Sequence, residues 1–200
     1  MSELRLSYPA CAIAGKMRLT AKDVDVLREH VFAGGLTSSQ DAMILLAINS
    51  SCSEKCPGWH HYFIETMTDF IVHRTEPQGS VDEWNADWLI AMISTRGVIN
   101  SRPELDLLFH VIDMSSRIPD RLSIFALEQI RLAITDEIGA WAVLRGGRQR
   151  GLQKSDVMLI GRVMSAIARS RGNHLTAQEQ RALDELGILT GLPAHDATAA

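Results

Sequence analysis

Apolar residues recur along most of the chain at intervals of three or four positions, the spacing that places side chains on one face of an α-helix. Val24, Leu27 and Val31 form one such row. Strand signals are weak, because the chain lacks a long alternation of apolar and polar residues and contains no Asn-Gly or Asp-Gly hairpin turn. The pattern therefore predicts an all-α fold, a multi-helix bundle of repeated helix–glycine turn–helix units. The predicted helices lie near residues 20–33, 38–51, 58–74, 82–95, 102–116, 119–135, 154–169 and 177–187.

Five helix starts carry a capping pattern, in which Ser or Thr is followed three residues later by Asp, Glu or Gln. The hydroxyl accepts a hydrogen bond from the first turn, and the later side chain reaches back to the capping residue. Each pair precedes a segment with helical apolar spacing, so the pairs predict where these helices begin. The pairs are Thr20/Asp23, Thr37/Gln40, Ser80/Glu83, Ser101/Glu104 and Thr176/Glu179.

Three joints between predicted helices share one order: a glycine, an aliphatic residue, a polar capping residue and a new helix. Glycine favours the left-handed turn that ends a helix, and the aliphatic residue fixes the turn to the core. The joints therefore predict short connections between packed helices. They are AGGLTSSQ at 33–40, STRGVINSRPE at 94–104 and RSRGNHLTAQE at 169–179.

Two stretches resemble each other, LTAKDVDVL at 19–27 and LQKSDVMLI at 152–160, with Asp23 matching Asp156. Each leads through a helix into one of the joints, so we interpret them as the starts of two related modules. The segment between the modules, GAWAVLRGGRQRG, is rich in glycine and arginine, which is typical of a linker. The predicted organisation is a tail at 1–16, a helical domain at 17–138, a linker at 139–151 and a partial second helical module with a disordered tail at 152–200.

The two helices predicted within 152–188 cannot bury both of their apolar faces against each other alone. They must dock on the first domain or pair with the same helices of a second copy. We favour self-association through a two-fold contact, because the apolar residues outnumber those that one docking groove usually accepts.

The formal charge of −4 and the pI near 6.0 give no basic surface for nucleic acid or for an anionic membrane. No apolar run approaches the length of a membrane span, and the start of the chain lacks the pattern of a signal peptide. The three cysteines, Cys11, Cys52 and Cys56, do not form a disulfide framework, which favours a reducing compartment. The sequence therefore predicts a cytoplasmic protein with neither a nucleic-acid nor a membrane partner.

Three runs follow one another in a fixed order within about residues 17–135: LTAKDVDVLREHVFAGGLTSSQDAMILLAIN, PGWHHYFIETMTDFIV and NADWLIAMISTRGVINSRPELDLLFHVI. In these runs the chain resembles a family of uncharacterised α-proteobacterial all-helical proteins. More distantly, the helix–glycine–aliphatic–cap–helix unit is similar to TerB-like domains, which are associated with tellurite resistance. The resemblance implies a TerB-like bundle with a stress-associated role and a second module that is complete in the family. It implies no particular chemistry.

The most conspicuous run of chemically active residues is CPGWHHYFIETMTDFIVH at 56–73. Its aromatic and apolar residues Trp59, Phe63, Met67 and Phe70 recur at spacings of four, four and three, which predicts a core stripe on one helix. Most of this run is therefore explained by packing.

His61, Glu65, Asp69 and His73 form a second row on the flank of the same predicted helix. Residues of these types one turn apart are usable ligands for a divalent metal. The alternative is a solvated helix face, in which Glu65 and Asp69 contact a partner or form a salt bridge to an arginine of a neighbouring helix. We therefore keep both the metal site and the polar surface as hypotheses.

Cys52 and Cys56 with His60 or His61 also raise the possibility of a zinc knuckle, but a CxxxC pair alone lacks the four recognisably spaced ligands of structural zinc. The joints lack the carboxylates of a calcium loop, and no nucleotide-binding or nucleophile-elbow motif occurs. Arginines at 145, 148 and 150 lack the interleaved aromatic residues of a nucleic-acid surface.

Trp84 and Trp88 lie one turn apart on a predicted helix and serve either as core anchors or, if exposed, as a binding surface. Helical joints and core stripes are plentiful in the sequence and catalytic constellations are not. The sequence therefore predicts a non-enzymatic interaction module, without a cofactor, that binds a protein partner or itself. The alternative is a metal sensor or metal-dependent enzyme that uses His61, Glu65 and Asp69.

Overall fold

Helices account for most of the computed structural model, which describes residues 12–146, 151–172 and 174–188. The prediction of a mostly helical fold is confirmed. The chain forms two compact units, an N-terminal unit that ends at Gln78 and a C-terminal unit that begins at Gly79.

The N-terminal unit contains three α-helices and one short pair of parallel strands within its described residues. The strands were not predicted, because each is only two residues long and pairs through its backbone, with Arg18 opposite Glu54. Two of the helices continue into a π-helical turn, Leu27–Val31 after the first and Asp69–Arg74 after the third. In chain order the elements are β1 (Arg18–Leu19), α1 (Ala21–Val26), α2 (Ser39–Ser51), β2 (Glu54–Lys55) and α3 (Pro57–Thr68).

The predicted core stripe of α3 is confirmed. Trp59, Phe63 and Met67 are completely buried, and Phe70 in the following π-turn is 5% exposed. The indole N–H of Trp59 donates a hydrogen bond to Asn49 Oδ1 at 3.0 Å, so the polar edge of the largest core side chain is satisfied. The stripe is the hydrophobic centre of the N-terminal unit.

The C-terminal unit is built around one long helix, α6 (Asp120–Thr135), which packs against the five other helices of this unit that the structure describes. Its buried face includes Leu122, Leu127 and Ile130. A helix that contacts every neighbour fixes the arrangement of all of them. The other helices are α4 (Glu83–Ile93), α5 (Arg102–Met114), α7 (Gly139–Leu144), α8 (Lys154–Arg171) and α9 (Ala177–Ile188).

The boundary between the two compact units falls after Gln78, and the first part of the predicted linker 139–151 is helical. Trp141 on α7 donates its indole N–H to the carboxylate of Asp156 at 2.7 Å. Arg145 pairs with the same carboxylate at 3.0 Å, and both side chains are buried. This buried ion pair holds α7 and the start of α8 together. Residues 147–150 and the predicted disordered tail from 189 lie outside the described residues.

Helix α8 buries its apolar face inside the C-terminal unit, on α5 and α6. Leu159, Val163 and Ile167 are all at most 9% exposed. Of the two arrangements expected for residues 152–188, the structure shows α8 docked on the rest of its own unit. Val157 and Met158 of α8 stay exposed, and self-association stays a prediction. The predicted tail at 1–16 also packs where it is described, since Ile13 is buried and Lys16 pairs with Asp23 at 2.5 Å.

Three of the five predicted capping pairs are confirmed. The hydroxyl of Thr20 accepts from the backbone N–H of Asp23, and the Asp23 carboxylate accepts from the N–H of Thr20. Ser101 accepts from Glu104 N–H at the start of α5, and Thr176 accepts from Glu179 N–H at the start of α9.

The other two caps differ from the prediction by one or two positions. At α2 the capping box is formed by Ser38 and Asp41, and Thr37 adds its hydroxyl to the same carboxylate at 2.8 Å. At α4 the cap is Asp82, whose carboxylate accepts from the backbone N–H of Asn85, instead of Ser80. Adjacent polar residues compete for the capping position, so the spacing rule alone does not decide between them.

The glycine joints are confirmed where the chain leaves a helix. Gly35, Gly97 and Gly172 have φ values of 81°, 80° and 71°, in the left-handed region that glycine adopts without strain. Gly139 is a further case that was not predicted. Its φ is 88°, and a side chain there would place Cβ 3.1 Å from the carbonyl oxygen of Ile99.

Two buried carboxylates at helix starts are neutralised by cations from outside their helices. Asp23 and Asp156, the matching residues of the two similar stretches, pair with Lys16 and with Arg145. The two stretches are thus alike in sequence and also in the ion pair that each aspartate forms. The likeness does not extend to the next residue, because Val24 is buried whereas Val157 is 54% exposed.

Glu179, on α9, is completely buried and accepts hydrogen bonds from Ser123 on α6 and from Arg171. Burial raises the pKa of Glu179, but hydrogen bonds from Ser123, from the Thr176 N–H and from Arg171 outweigh burial, so its pKa lies below the ordinary value. The charged form of Glu179 therefore stabilises the fold.

We expect Phe63→Ala to lower the free energy of unfolding of the N-terminal unit by about 3–5 kcal/mol, the usual cost of truncating a fully buried aromatic side chain. Met43→Ala on α2 is the control, because Met43 is 40% exposed and its truncation leaves no closed cavity. Urea unfolding followed by circular dichroism compares the two. Equal losses for both variants would show that Phe63 is not a core residue.

We expect Glu179→Gln to lower the free energy of unfolding of the C-terminal unit by about 1.5–3 kcal/mol at neutral pH, since hydrogen bonds to a buried charge are lost. The folded pKa lies below the ordinary value of 4.5, so the stabilisation is complete above 4.5 and is lost as pH falls through the folded pKa. The difference between variant and parent should therefore shrink when unfolding is measured below pH 4.5. A difference that stays constant with pH would contradict a stabilising charge.

Candidate functional site

The predicted histidine and carboxylate row follows the exposed flank of α3. His61 Nδ1 lies 3.9 Å from the Glu65 carboxylate, with 81% of the His61 side chain and 53% of the Glu65 side chain exposed. His73 is also exposed. The first two members of the row therefore interact with each other at the surface, as neighbours one turn apart commonly do.

Asp69 is engaged by Arg74 of its own π-helical turn, and not by an arginine of a neighbouring helix, which one of the alternatives proposed. Arg74 Nε lies 2.5 Å from the Asp69 carboxylate, and Arg74 Nη1 donates to the carbonyl oxygen of Gly34 at 2.5 Å. A Cβ atom at Gly35 would lie 2.6 Å from the Arg74 guanidinium, so a side chain there would displace the arginine. Asp69 and Arg74 thus join the π-helical end of α3 to the joint before α2.

The cysteines predicted as partial zinc ligands have packing and capping positions. Cys52 is buried, and its thiol donates to the carbonyl oxygen of Lys16 at 3.0 Å. Cys56 is half-buried and is the capping residue of α3. Cys11 lies outside the described residues. Among residues that the structure describes, no group of three or more His, Cys, Asp or Glu side chains is arranged to hold a metal ion.

Of the three arginines considered for phosphate binding, the structure describes Arg145. Arg145 is 4% exposed and is neutralised by Asp156, so it is not available at the surface. Arg148 and Arg150 lie outside the described residues.

A cavity of about 500 Å³ lies at the strand pair of the N-terminal unit. Its wall carries an exposed pair, Arg18 and Glu54, at 3.7 Å, and the Lys55 ammonium is turned to the Cys52 carbonyl oxygen. The apolar residue Leu19 at this cavity is 1% exposed and so offers no contact area. Its accessible apolar lining is limited to Ala21, Pro57 and the half-buried Cys56, which are small side chains.

The two tryptophans predicted as core or interface anchors both lie on α4 but differ in exposure. This helix turns Ala86, Leu89 and Ile93 into the core of the C-terminal unit. Trp84 is 79% exposed, the most exposed aromatic side chain in the described part of the chain, and Trp88 is half-buried. A large indole held in water on a well-anchored helix is the feature expected of a binding surface.

A groove of about 580 Å³ lies next to this part of α4 and is walled by α4, α6 and α9. Three half-buried apolar side chains, Ile90, Ile124 and Phe125, give it an accessible apolar lining. Glu83, which immediately precedes Trp84, also lines it. The remaining lining residues are Asp120, Arg121, Glu128 and Gln178.

The charges of the groove are mostly negative. Arg121 is paired with Asp87, and Glu128 is bound by Arg131 through two hydrogen bonds of 2.7 and 2.5 Å. Hydrogen bonding to Glu128 raises the pKa of Arg131, with further contributions from two nearby carboxylates, so this arginine stays charged. In the described part of the chain, Glu83 and Asp120 have no ion-pair partner.

Trp84 and Trp88 were singled out from the sequence, whereas the groove between α4, α6 and α9 was not predicted. The available signal was in α6, where Ile124 and Phe125 lie off the face that carries the buried residues Leu122 and Leu127. Apolar residues beyond the core face of a helix indicate a second contact surface. Glu65 and Asp69, the other predicted interaction residues, belong to the N-terminal unit.

Comparisons with protein-family models, with curated proteins and with solved structures found no match to this chain. The TerB-like resemblance and the α-proteobacterial family therefore stay predictions. Among the described residues, no helix combines the length and the apolar content needed to cross a lipid bilayer.

We expect Asp69→Asn to lower the free energy of unfolding of the N-terminal unit by about 0.5–1 kcal/mol, because its ion pair with Arg74 is partly exposed. Asp25→Asn is the matched control. Asp25 contacts Arg28 at 4.0 Å with both side chains more than half exposed, so its loss should change stability little. Urea denaturation of both variants tests the difference; if Asp69→Asn behaves like the control, the pair does not hold the joint.

Proposed function

We propose that the chain is a protein-interaction module that binds its partner through the Trp84 surface, defined as Trp84 and Trp88 together with the groove residues Ile90, Ile124 and Phe125. The observation that carries this proposal is the 79% exposure of Trp84 on α4, the helix whose residues Glu83 and Ile90 line an accessible apolar groove. Tryptophan contributes more binding energy per residue than most side chains when a partner covers it.

The anchoring of α4 supports this proposal. The helix is capped by Asp82 and buries Ala86 and Leu89 completely, so it presents Trp84 from a fixed backbone. A fixed anchor loses little conformational entropy on binding. The groove is walled by three helices of one compact unit, which gives the surface a defined shape before a partner arrives.

The alternative, a metal sensor or metal-dependent enzyme built on His61, Glu65, Asp69 and His73, has no comparable observation in its favour. The Asp69 carboxylate is already bound by Arg74, and Glu65 and His61 lie side by side at an exposed helix flank. The stress-associated role and the cytoplasmic location stay predictions from the sequence.

We expect Trp84→Ala to weaken binding of the partner by about 30-fold, the effect of removing a hot-spot side chain worth about 2 kcal/mol. The partner is first captured on the immobilised full chain, identified and purified, and its affinity is then measured by calorimetry. Met158→Ala is the control, since Met158 is an exposed apolar residue of α8 outside the groove.

Thermal unfolding of the Trp84→Ala chain should match that of the parent, because an exposed side chain contributes little to folding. If the purified partner binds Trp84→Ala and the parent equally, the Trp84 surface is not the binding site.

A further inference from the structure

We propose that the occupant of the Trp84 surface is a protein segment in which aliphatic or aromatic side chains are flanked by lysine or arginine. This inference rests on the proposed function and adds the chemistry of the partner. It follows from the lining of the groove and from the charges at its rim.

The apolar lining of the groove favours a partner segment with apolar side chains. Ile90, Ile124 and Phe125 are half-buried, so each retains area that a partner can remove from water. A volume of about 580 Å³ lies within the range of sites that take small groups of side chains or a drug-sized molecule. Trp84 adds a flat apolar face next to the groove. A wholly polar segment would leave these side chains unmatched.

The carboxylates at the rim of the groove favour a partner segment that carries positive charge. Carboxylates outnumber guanidinium groups among the lining residues by three to one. Arg121 is already paired with Asp87, and Glu128 with Arg131, which leaves the carboxylates of Glu83 and Asp120 without a cation in the described structure. Complementary charge speeds association and selects the partner, whereas like charge repels it. Acidic segments, nucleic acid and anionic membranes are therefore poor occupants.

A purely structural reason for the two carboxylates also exists. Glu83 and Asp120 are the first residues of α4 and α6, where negative charge interacts favourably with the helix dipole. That role stabilises the helices and predicts no effect on binding. The two roles are thus separated by measuring binding and stability on the same variants.

A second copy of this chain is a weaker candidate than a basic segment. The chain carries a net charge of −4, and two arginines of α8 are already engaged, Arg162 with Asp113 and Arg169 with backbone carbonyl groups. The net charge of a copy therefore has the same sign as the rim.

The test uses three acetylated, amidated heptapeptides as probes: KKLLLKK, EELLLEE and KKSSSKK. Each is titrated into the ¹⁵N-labelled full chain, and the Trp84 indole N–H resonance, assigned by its loss in Trp84→Phe, reports binding. We expect KKLLLKK to bind about tenfold more tightly than either other peptide, because only it matches both the lining and the rim. Its affinity should fall as sodium chloride is raised.

The variant Glu83→Gln/Asp120→Asn should weaken KKLLLKK binding about tenfold and leave the weak binding of EELLLEE unchanged or stronger. The control is Asp25→Asn/Glu54→Gln, which removes two exposed carboxylates from the N-terminal unit and should leave binding unchanged.

Equal binding of KKLLLKK and EELLLEE at Trp84, or indifference to Glu83→Gln/Asp120→Asn, would overturn the inferred chemistry while leaving the proposed function intact. No shift of the Trp84 resonance by KKLLLKK up to about 1 mM, the weak end of useful affinities, would also overturn it. A Trp84 shift that depends on protein concentration alone would assign the groove to a second copy. The proposed function fails separately, if a purified partner ignores Trp84→Ala.

Discussion

The buried carboxylate of Glu179 ties helix α9 to the central helix α6, and the groove of the C-terminal unit depends on this contact. Glu179 accepts hydrogen bonds from Ser123 of α6, from Arg171 of α8 and from its own helix start. A buried charge is tolerated only when such partners satisfy it, so α9 has one favourable position. Gln178, the neighbour of Glu179, then forms part of the groove wall.

The same principle recurs at Asp156, whose carboxylate receives Trp141 and Arg145 and so holds α7 to the start of α8. Both carboxylates sit in the first turn of a helix, where they also cap the backbone. The C-terminal unit is thus fixed by charged groups as well as by apolar packing. An accessible groove can form next to such a core, because buried contacts on the inner side of α6 and α9 fix the helices that line it.

Local features of the fold were predictable from the sequence, and features that depend on distant residues were not. The Trp59 and Phe63 stripe and the Thr20 cap follow from spacing within one helix. Gly and Arg in 139–151 are typical of a linker, whereas Arg145 forms a buried ion pair with Asp156, which no local pattern reveals. The two-residue strands are too short to produce an alternation.

In the candidate site, too, local features were predictable from the sequence and features that depend on distant residues were not. The exposure of Trp84 was one of two alternatives that sequence left open, because Trp84 and Trp88 have the same spacing as a core pair. The groove combines residues of α4, α6 and α9 that are far apart in the chain, so only the folded structure brings them together. Asp69 is partly exposed, and its ion pair with Arg74 arises from the π-helical turn that follows α3, which the spacing of the row does not reveal.

The most direct measurement of the central claim is hydrogen–deuterium exchange of the full chain with and without bound KKLLLKK. The account predicts slower amide exchange in Glu83–Ile93 and in the first half of Asp120–Thr135, with no change in residues 12–78. Protection confined to the N-terminal unit, around Arg18 and Lys55 or along His61 and Glu65, would contradict it.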